Sequence, residues 1–460
     1  MKRIINLRNI VVCSLLSLAM QGCSMEDLED IKDNIDGDGK TSELRSKVIP
    51  IDTNIDFGIE PNVLYYADPR IEENGLNRAI RIDYNAMNFN EVATNGINPH
   101  SIDRAGKTNR FYIRTQNSYS FDVVNFETGS VKTVNLENKE RNVVEHKPRA
   151  IGAYNRKYNI QLLSSLDMPV VDVIDVSTDN VIATLGDQIK DFTITANGGK
   201  SATGHAFWFD ENHFGLIDRV SNKIRLYRVS RASDDSLEFT LIQDFITREP
   251  VHAVERISNA RNKTDRNTFY AMINGDIGKK VAPGVLELKF NHDYERIESS
   301  REVIFEDSVE SVGVIKATTH HSAVSPDYKY FIVPVLTGKV YFINRQTMKI
   351  DKVVEAKLGA AHVNISKEEN LVIITNHFSE YVTFINATTL EVVKNLDISE
   401  TVFHPDEKHL IQPHFSYVGE NGRYYYTFAT QDGKFLKIDL KTLEVVESLY
   451  TGGAPEQAHS

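Results

Sequence analysis

Cysteine is almost missing from this chain. Of 460 residues only Cys13 and Cys23 carry a thiol, and both lie at the extreme N-terminus. The remainder therefore excludes disulfide staples, thiolate metal sites, thiol catalysis, CxxCH haem attachment and iron–sulfur ligation. The 7 methionines form no cluster, which argues against a thioether copper(I) carrier. Basic charge is also in short supply. With 52 Lys+Arg against 64 Asp+Glu the net charge is −12, and no Lys/Arg patch stands out, so nucleic acid is excluded as a partner. No GxxxxGK[ST] loop, GxGxxG turn, GxSxG elbow or HExxH pair occurs. No nucleophile–base set can be assembled from spacing, and the reading favours a binding protein over an enzyme. Whatever chemistry the chain performs falls to His, carboxylates, hydroxyls, amides and backbone.

The first 23 residues read as a targeting signal. "MKRIINLR" is a positive n-region, and "NIVVCSLLSLAM" is an apolar core too short to span a bilayer. The segment ends in "AMQGCS", which resembles a bacterial lipobox, with Gly22 directly before Cys23. The resemblance implies cleavage before Cys23, lipidation of its thiol and, with Ser24 following, the periplasmic face of the outer membrane. Residues 24–60 are polar and read as a tether. "NIDGDGK" within it starts like a calcium loop, with Asn34, Asp36, Asp38 and Gly39 in place. Arg45 stands where the bidentate Glu belongs, so a solvated linker is the better reading.

From residue 61 to 460 helical periodicity gives way to short runs rich in Val, Ile, Tyr and Phe, cut by Asn, Asp, Gly and Ser. "FINRQTMKIDKVV" (342–354), "FINATTLEVVKNL" (384–396) and "KIDLKTLEVVESL" (437–449) are cognate hairpins, with upstream copies at 173–185 and 124–136. Four short strands per forty to fifty residues predict an all-β propeller forming a single domain. Seven complete units begin near residues 100, 146, 205, 252, 320, 362 and 414. Residues 62–93 supply three more strands, and the tail "GGAPEQAHS" offers a fourth. An eight-bladed ring closed by N- and C-terminal strands is expected, with seven blades as the alternative. "VSPDYKYFIVP" and the hairpins resemble the YVTN-type propellers of bacterial periplasmic proteins, a likeness that speaks to fold more than to function.

Each complete unit opens on histidine: His100, His146, His205, His252, His320 with His321, His362 and His414. These are eight of the 14 histidines, placed at the entry to the strand expected to be innermost. Equivalent positions on successive blades lie on a circle around the axis, so these side chains are expected to face the channel mouth. Crowding forbids charging them all, and neutral imidazoles suit Zn, Cu, Ni or Fe(II). Three alternatives stand beside a metal site: structural histidines in a protein-interaction scaffold, an anion site completed by Arg104 and Arg149, and a copper-dependent redox enzyme. His213 and His377 are expected at turns, and His292, His404 and His409 in solvated connections. His459 joins the channel if the tail closes the ring.

"THH" with single histidines from other blades is similar to the propeller of nitrous oxide reductase, which holds a copper–sulfide cluster. This chain lacks that family's cupredoxin domain and cysteines. "HH" before an inner strand and "VEH" resemble the periplasmic zinc chaperones of β-propeller type. That resemblance points to His320, His321, His146 and His362 as ligands and to a metallochaperone, store or sensor of Zn or Cu. The implied partners are the membrane, through the lipid anchor, and a periplasmic metal-binding or transport protein, with the chain itself a monomer.

Overall fold

A computed structural model describes residues 62–69, 77–137, 143–189, 201–256, 267–406, 416–419, 421–453 and 457–459. The lipobox, the lipidation site Cys23, the tether, His409 and His414 lie outside the described residues. Those that are described form eight four-stranded antiparallel sheets and no α-helix. The chain is an eight-bladed β-propeller, as expected from the repeat.

Each blade is built from the hairpins visible in the sequence. In blade 7, for example, the strands are Ala360–Ser366, Leu371–Asn376, Tyr381–Asn386 and Val392–Asp397. The second strand is buried on both faces, and its period of two sends alternate side chains into different cores. Leu371 and Ile373 pack against blade 8, whereas Val372 and Ile374 pack against blade 6. Thr268–Ile273 of blade 5 divides in the same way, with Phe269, Ala271 and Ile273 on one side and Tyr270 and Met272 on the other. Eight such clusters lie between the eight pairs of adjacent blades. Fourth strands such as Glu444–Tyr450 are largely exposed, which places them outermost and the first strands against the axis.

The recurring Asn/Asp of the hairpins has a structural reason. Asn125, Asn344, Asn386 and Asp439 each end a third strand, and their side-chain oxygens accept the backbone N–H groups two and three residues on, forming Asx turns. Four residues after the Asn or Asp, the chain takes a left-handed conformation: Met348 (φ 51°), Leu390 (φ 55°) and Leu443 (φ 55°). That backbone is costly for leucine and methionine. All three side chains are buried in the inter-blade cores, which offsets the strain.

Ring closure joins the two ends of the chain. Gln457–His459 pairs with Val63–Asp68, through Tyr65↔His459, Tyr66↔Ala458 and Ala67↔Gln457, as the innermost strand of blade 1. Beside it, Arg78 binds the buried Asp68 at 2.8 Å and the carbonyl of Thr451 at 2.7 Å. Gly453 (φ 67°) passes so close that a Cβ there would lie 1.8 Å from Asp68 Oδ2. Deleting residues 454–460 removes two or three ladder hydrogen bonds at about 1 kcal/mol each. We expect the truncated chain to lose about 2–3 kcal/mol in chemical denaturation, and Gly453→Ala to lower the melting midpoint as well. Unchanged midpoints in both would mean that the ends do not hold the ring.

Candidate metal centre in the propeller channel

The ladder registers align the inner strands residue by residue. Pro99, Pro148, Thr203, Val251, Thr319 and Ala360 each pair with the end of their blade's second strand, opposite Thr115, Ser165, Asp218, Ile273, Val335 and Asn376. The residue before each accepts the N–H of the residue that follows the second strand: Gln116, Leu166, Arg219, Asn274, Leu336 and His377. Blades 2, 3, 5 and 7 carry a register shift at this point, and such a bulge re-aims side chains away from the regular pleat.

In this frame the histidines occupy three positions rather than one. The first residue after the aligned pair is His100, Arg149, Gly204, His252, His320 and Ala361 in blades 2 to 7. The second is Ser101, Ala150, His205, Ala253, His321 and His362. The third position, at the head of the loop after the second strand, carries His377 in blade 7 and Arg219 in blade 4. Backbone bonds clamp adjacent blades at the same level: His205 N–H donates to His252 O at 3.2 Å, and His321 N–H donates to Ala361 O at 3.1 Å. Gly204 lets blade 4 approach this closely, because a Cβ there would sit 2.7 Å from His252 O.

Five of the residues singled out in the sequence converge, and His377 joins them. His205, His252 and His321 can each present one ring nitrogen so that all lie within 4.8 Å of one another, and His320, His362 and His377 do the same. The two triads touch, with ring centroids 4.4 Å apart for His252–His320 and 4.6 Å for His321–His362. His321 Nδ1 bonds Glu255 Oε1 at 2.9 Å, which fixes the ring and leaves Nε2 for a ligand. Burial, reinforced by neighbouring positive charge, pushes His205, His252 and His362 well below the ordinary imidazole range. They are neutral at physiological pH and carry lone pairs.

His100 occupies the first ring position of blade 2 but belongs to neither triad. Arg104 turns away from the channel, bonding Thr108 O and Asn109 Oδ1. Arg149 stays on the ring and is held well below the usual guanidinium range by burial and then by Arg219 and Arg114. His213 is buried elsewhere against Asp210 at 2.9 Å.

His146 requires correction as a ligand. It lies two residues before the aligned Pro148, and the ring position in its blade belongs to Arg149. Its Nδ1 faces Val144 O at 2.9 Å and its Nε2 faces Asp172 Oδ2 at 2.7 Å. Both partners are acceptors, so both nitrogens donate, and the ring is an imidazolium with no lone pair for a metal. Burial alone lowers its pKa, but Asp172 outweighs burial and raises it to about 9. A folded-state value above the unfolded 6.5 gives stabilisation that is complete below about pH 6.5 and lost as pH rises through about 9. We expect His146→Ala to cost about 3 kcal/mol at pH 6, as breaking a buried pair does. The gap from wild type should shrink by pH 10 in denaturant titrations, and a gap that is flat with pH would refute the imidazolium.

No protein-family model matches the chain, and no curated protein matches it. Solved structures share its architecture. Dihydro-heme d1 dehydrogenase NirN, in complex with DHE, superposes with a TM-score of 0.59 at 12% identity, over 87% of this chain and 75% of that one. AztD of Citrobacter koseri gives 0.53 at 11% identity, over 86% and 96%. Its apo form gives 0.51 at 11% identity over the same shares. At such identities the likeness is one of fold: this chain is built like these propellers.

Proposed function

We propose that the protein binds a transition-metal ion, zinc or copper, through neutral imidazoles in its channel, as a carrier, store or sensor. In this reading it works on the periplasmic face of the outer membrane, anchored through a lipidated Cys23, and exchanges metal with an envelope metal-binding or transport protein. One observation carries the proposal: blades 4, 5, 6 and 7 contribute two adjoining triads of histidines whose donor nitrogens lie within 4.8 Å. Tetrahedral zinc needs nitrogens about 3.3 Å apart at bonds of about 2.0–2.1 Å, within reach of small side-chain rotations. His321 has the carboxylate partner that metal-bound histidines usually have, and the low proton affinity of His205, His252 and His362 removes the main competitor for their lone pairs. Three imidazoles leave a coordination position open, which suits exchange.

Elemental analysis of the detergent-solubilised full chain, purified without a histidine tag, should find zinc or copper near stoichiometry. His321→Ala and His377→Ala should each lower it by about half or more, whereas His146→Asn should not. A visible absorption band would mark copper. Absence of metal after reconstitution with both ions would leave the histidines as structural residues of a scaffold.

A further inference from the structure

Beside the histidines the channel gathers positive charge. Arg149 takes the first ring position of blade 3, in the place that histidine holds in blades 2, 5 and 6. Its Nη1 is buried and makes no hydrogen bond. Arg219, 6% exposed, heads the loop after the second strand of blade 4, the place His377 holds in blade 7. Arg114, 3% exposed, is the penultimate residue of the second strand of blade 2. The charges of Arg219 and Arg114 both act on Arg149, and all three act on His205.

What holds the Arg219 guanidinium is polar but uncharged. Arg219 Nη1 donates to Ser201 Oγ at 2.6 Å, and with the Asn274 amide turned its Nη2 donates to Asn274 at 2.8 Å. Arg219 Nε is buried without a partner. Arg114 Nε donates to Ser101 Oγ at 3.2 Å. Among the described residues no carboxylate pairs with Arg149 or Arg219. Several other arginines are paired with carboxylates: Arg78 with Asp68, Arg225 with Asp218 and Arg301 with Glu287. The carboxyl of Asp103, on the inner strand next to Arg149's, is pushed upward by burial, which favours its neutral form over a counter-charge. In a chain of net charge −12, buried guanidiniums kept without a carboxylate are poised for an anion from outside.

We propose that the channel holds a second site, for a small multivalent oxyanion of carboxylate or phosphate type, built on Arg149 and Arg219 with Arg114 behind them. Guanidinium is the planar donor that such anions select, and burial of the donor nitrogens strengthens the pairing. The site does not depend on the metal reading, because its donors are arginines and it forms in metal-free protein.

The test uses full-length protein stripped of metal by a chelator and exchanged into a buffer without oxyanions. Calorimetric titration with citrate and with phosphate should show saturable binding, and the tighter of the two identifies carboxylate or phosphate chemistry. Arg149→Met should weaken it about tenfold or more, Arg219→Met similarly, and Arg149→Lys less, since lysine keeps charge but loses the fork. In anion-free buffer Arg149→Met should melt at or above the wild type, and added anion should raise the melting point of the wild type only. Metal content is measured in the same variants: Arg149→Met should retain it, so a failed metal site and a failed anion site give different results. Two results would overturn the proposal: no binding of either anion to the wild type at millimolar concentration, or Arg149→Met and Arg149→Lys melting well below the wild type whether or not anion is present.

Discussion

Everything in this molecule depends on the second strand of each blade having two apolar faces. Residues such as Val372 and Ile373 are neighbours in sequence, yet they belong to cores on opposite sides of their sheet. A sheet of this kind has no solvent-facing side, so each blade needs a partner on its left and another on its right, and only a closed ring provides both for all. The channel follows from that closure. Its rim is lined by the inner-strand entries, which the apolar packing leaves free to carry polar side chains.

The fold was legible because its local rules are written in residue type. Alternating Val, Ile, Phe and Tyr reports strands packed on both faces. The Asn or Asp that ends each third strand reports an Asx turn whose side-chain oxygen replaces backbone bonding. The closing strand could be expected because residues 62–93 form three strands and lack a fourth, an imbalance visible without coordinates.

The site was only partly legible, and the reason lies in the inner strands. Several are two residues long, as in Phe207–Trp208 and Ala323–Val324, and others carry bulges, so no regular alternation marks their register. In sequence two adjacent ring positions therefore look like one, and His146 resembles them because its "VEH" setting looks the same. In space His146 is a charged tie to Asp172, and its blade offers Arg149 instead. His377 is expected at a turn and does sit at one, yet it stands apart from the ring in sequence because it follows a second strand rather than preceding a first. In "TNH" at 375–377, "IDR" at 217–219 and "MIN" at 272–274 the third residue is that position. Arg149 was visible, but its companions were not, since Arg114 and Arg219 arrive from the far ends of second strands.

Closure by the last strand also sets a schedule. The chain emerges from synthesis with Val63–Asp68 made early and its partner Gln457–His459 made after all the other described strands. Until then blade 1 lacks its inner strand, and the cores between blades 8 and 1 and between blades 1 and 2 rest on an unfinished sheet. Contacts of such long sequence separation form slowly, and open strand edges invite pairing with other chains. The residues that complete the ring are therefore also those that end its vulnerability to aggregation, and a nascent propeller of this design must be sheltered for almost its entire length.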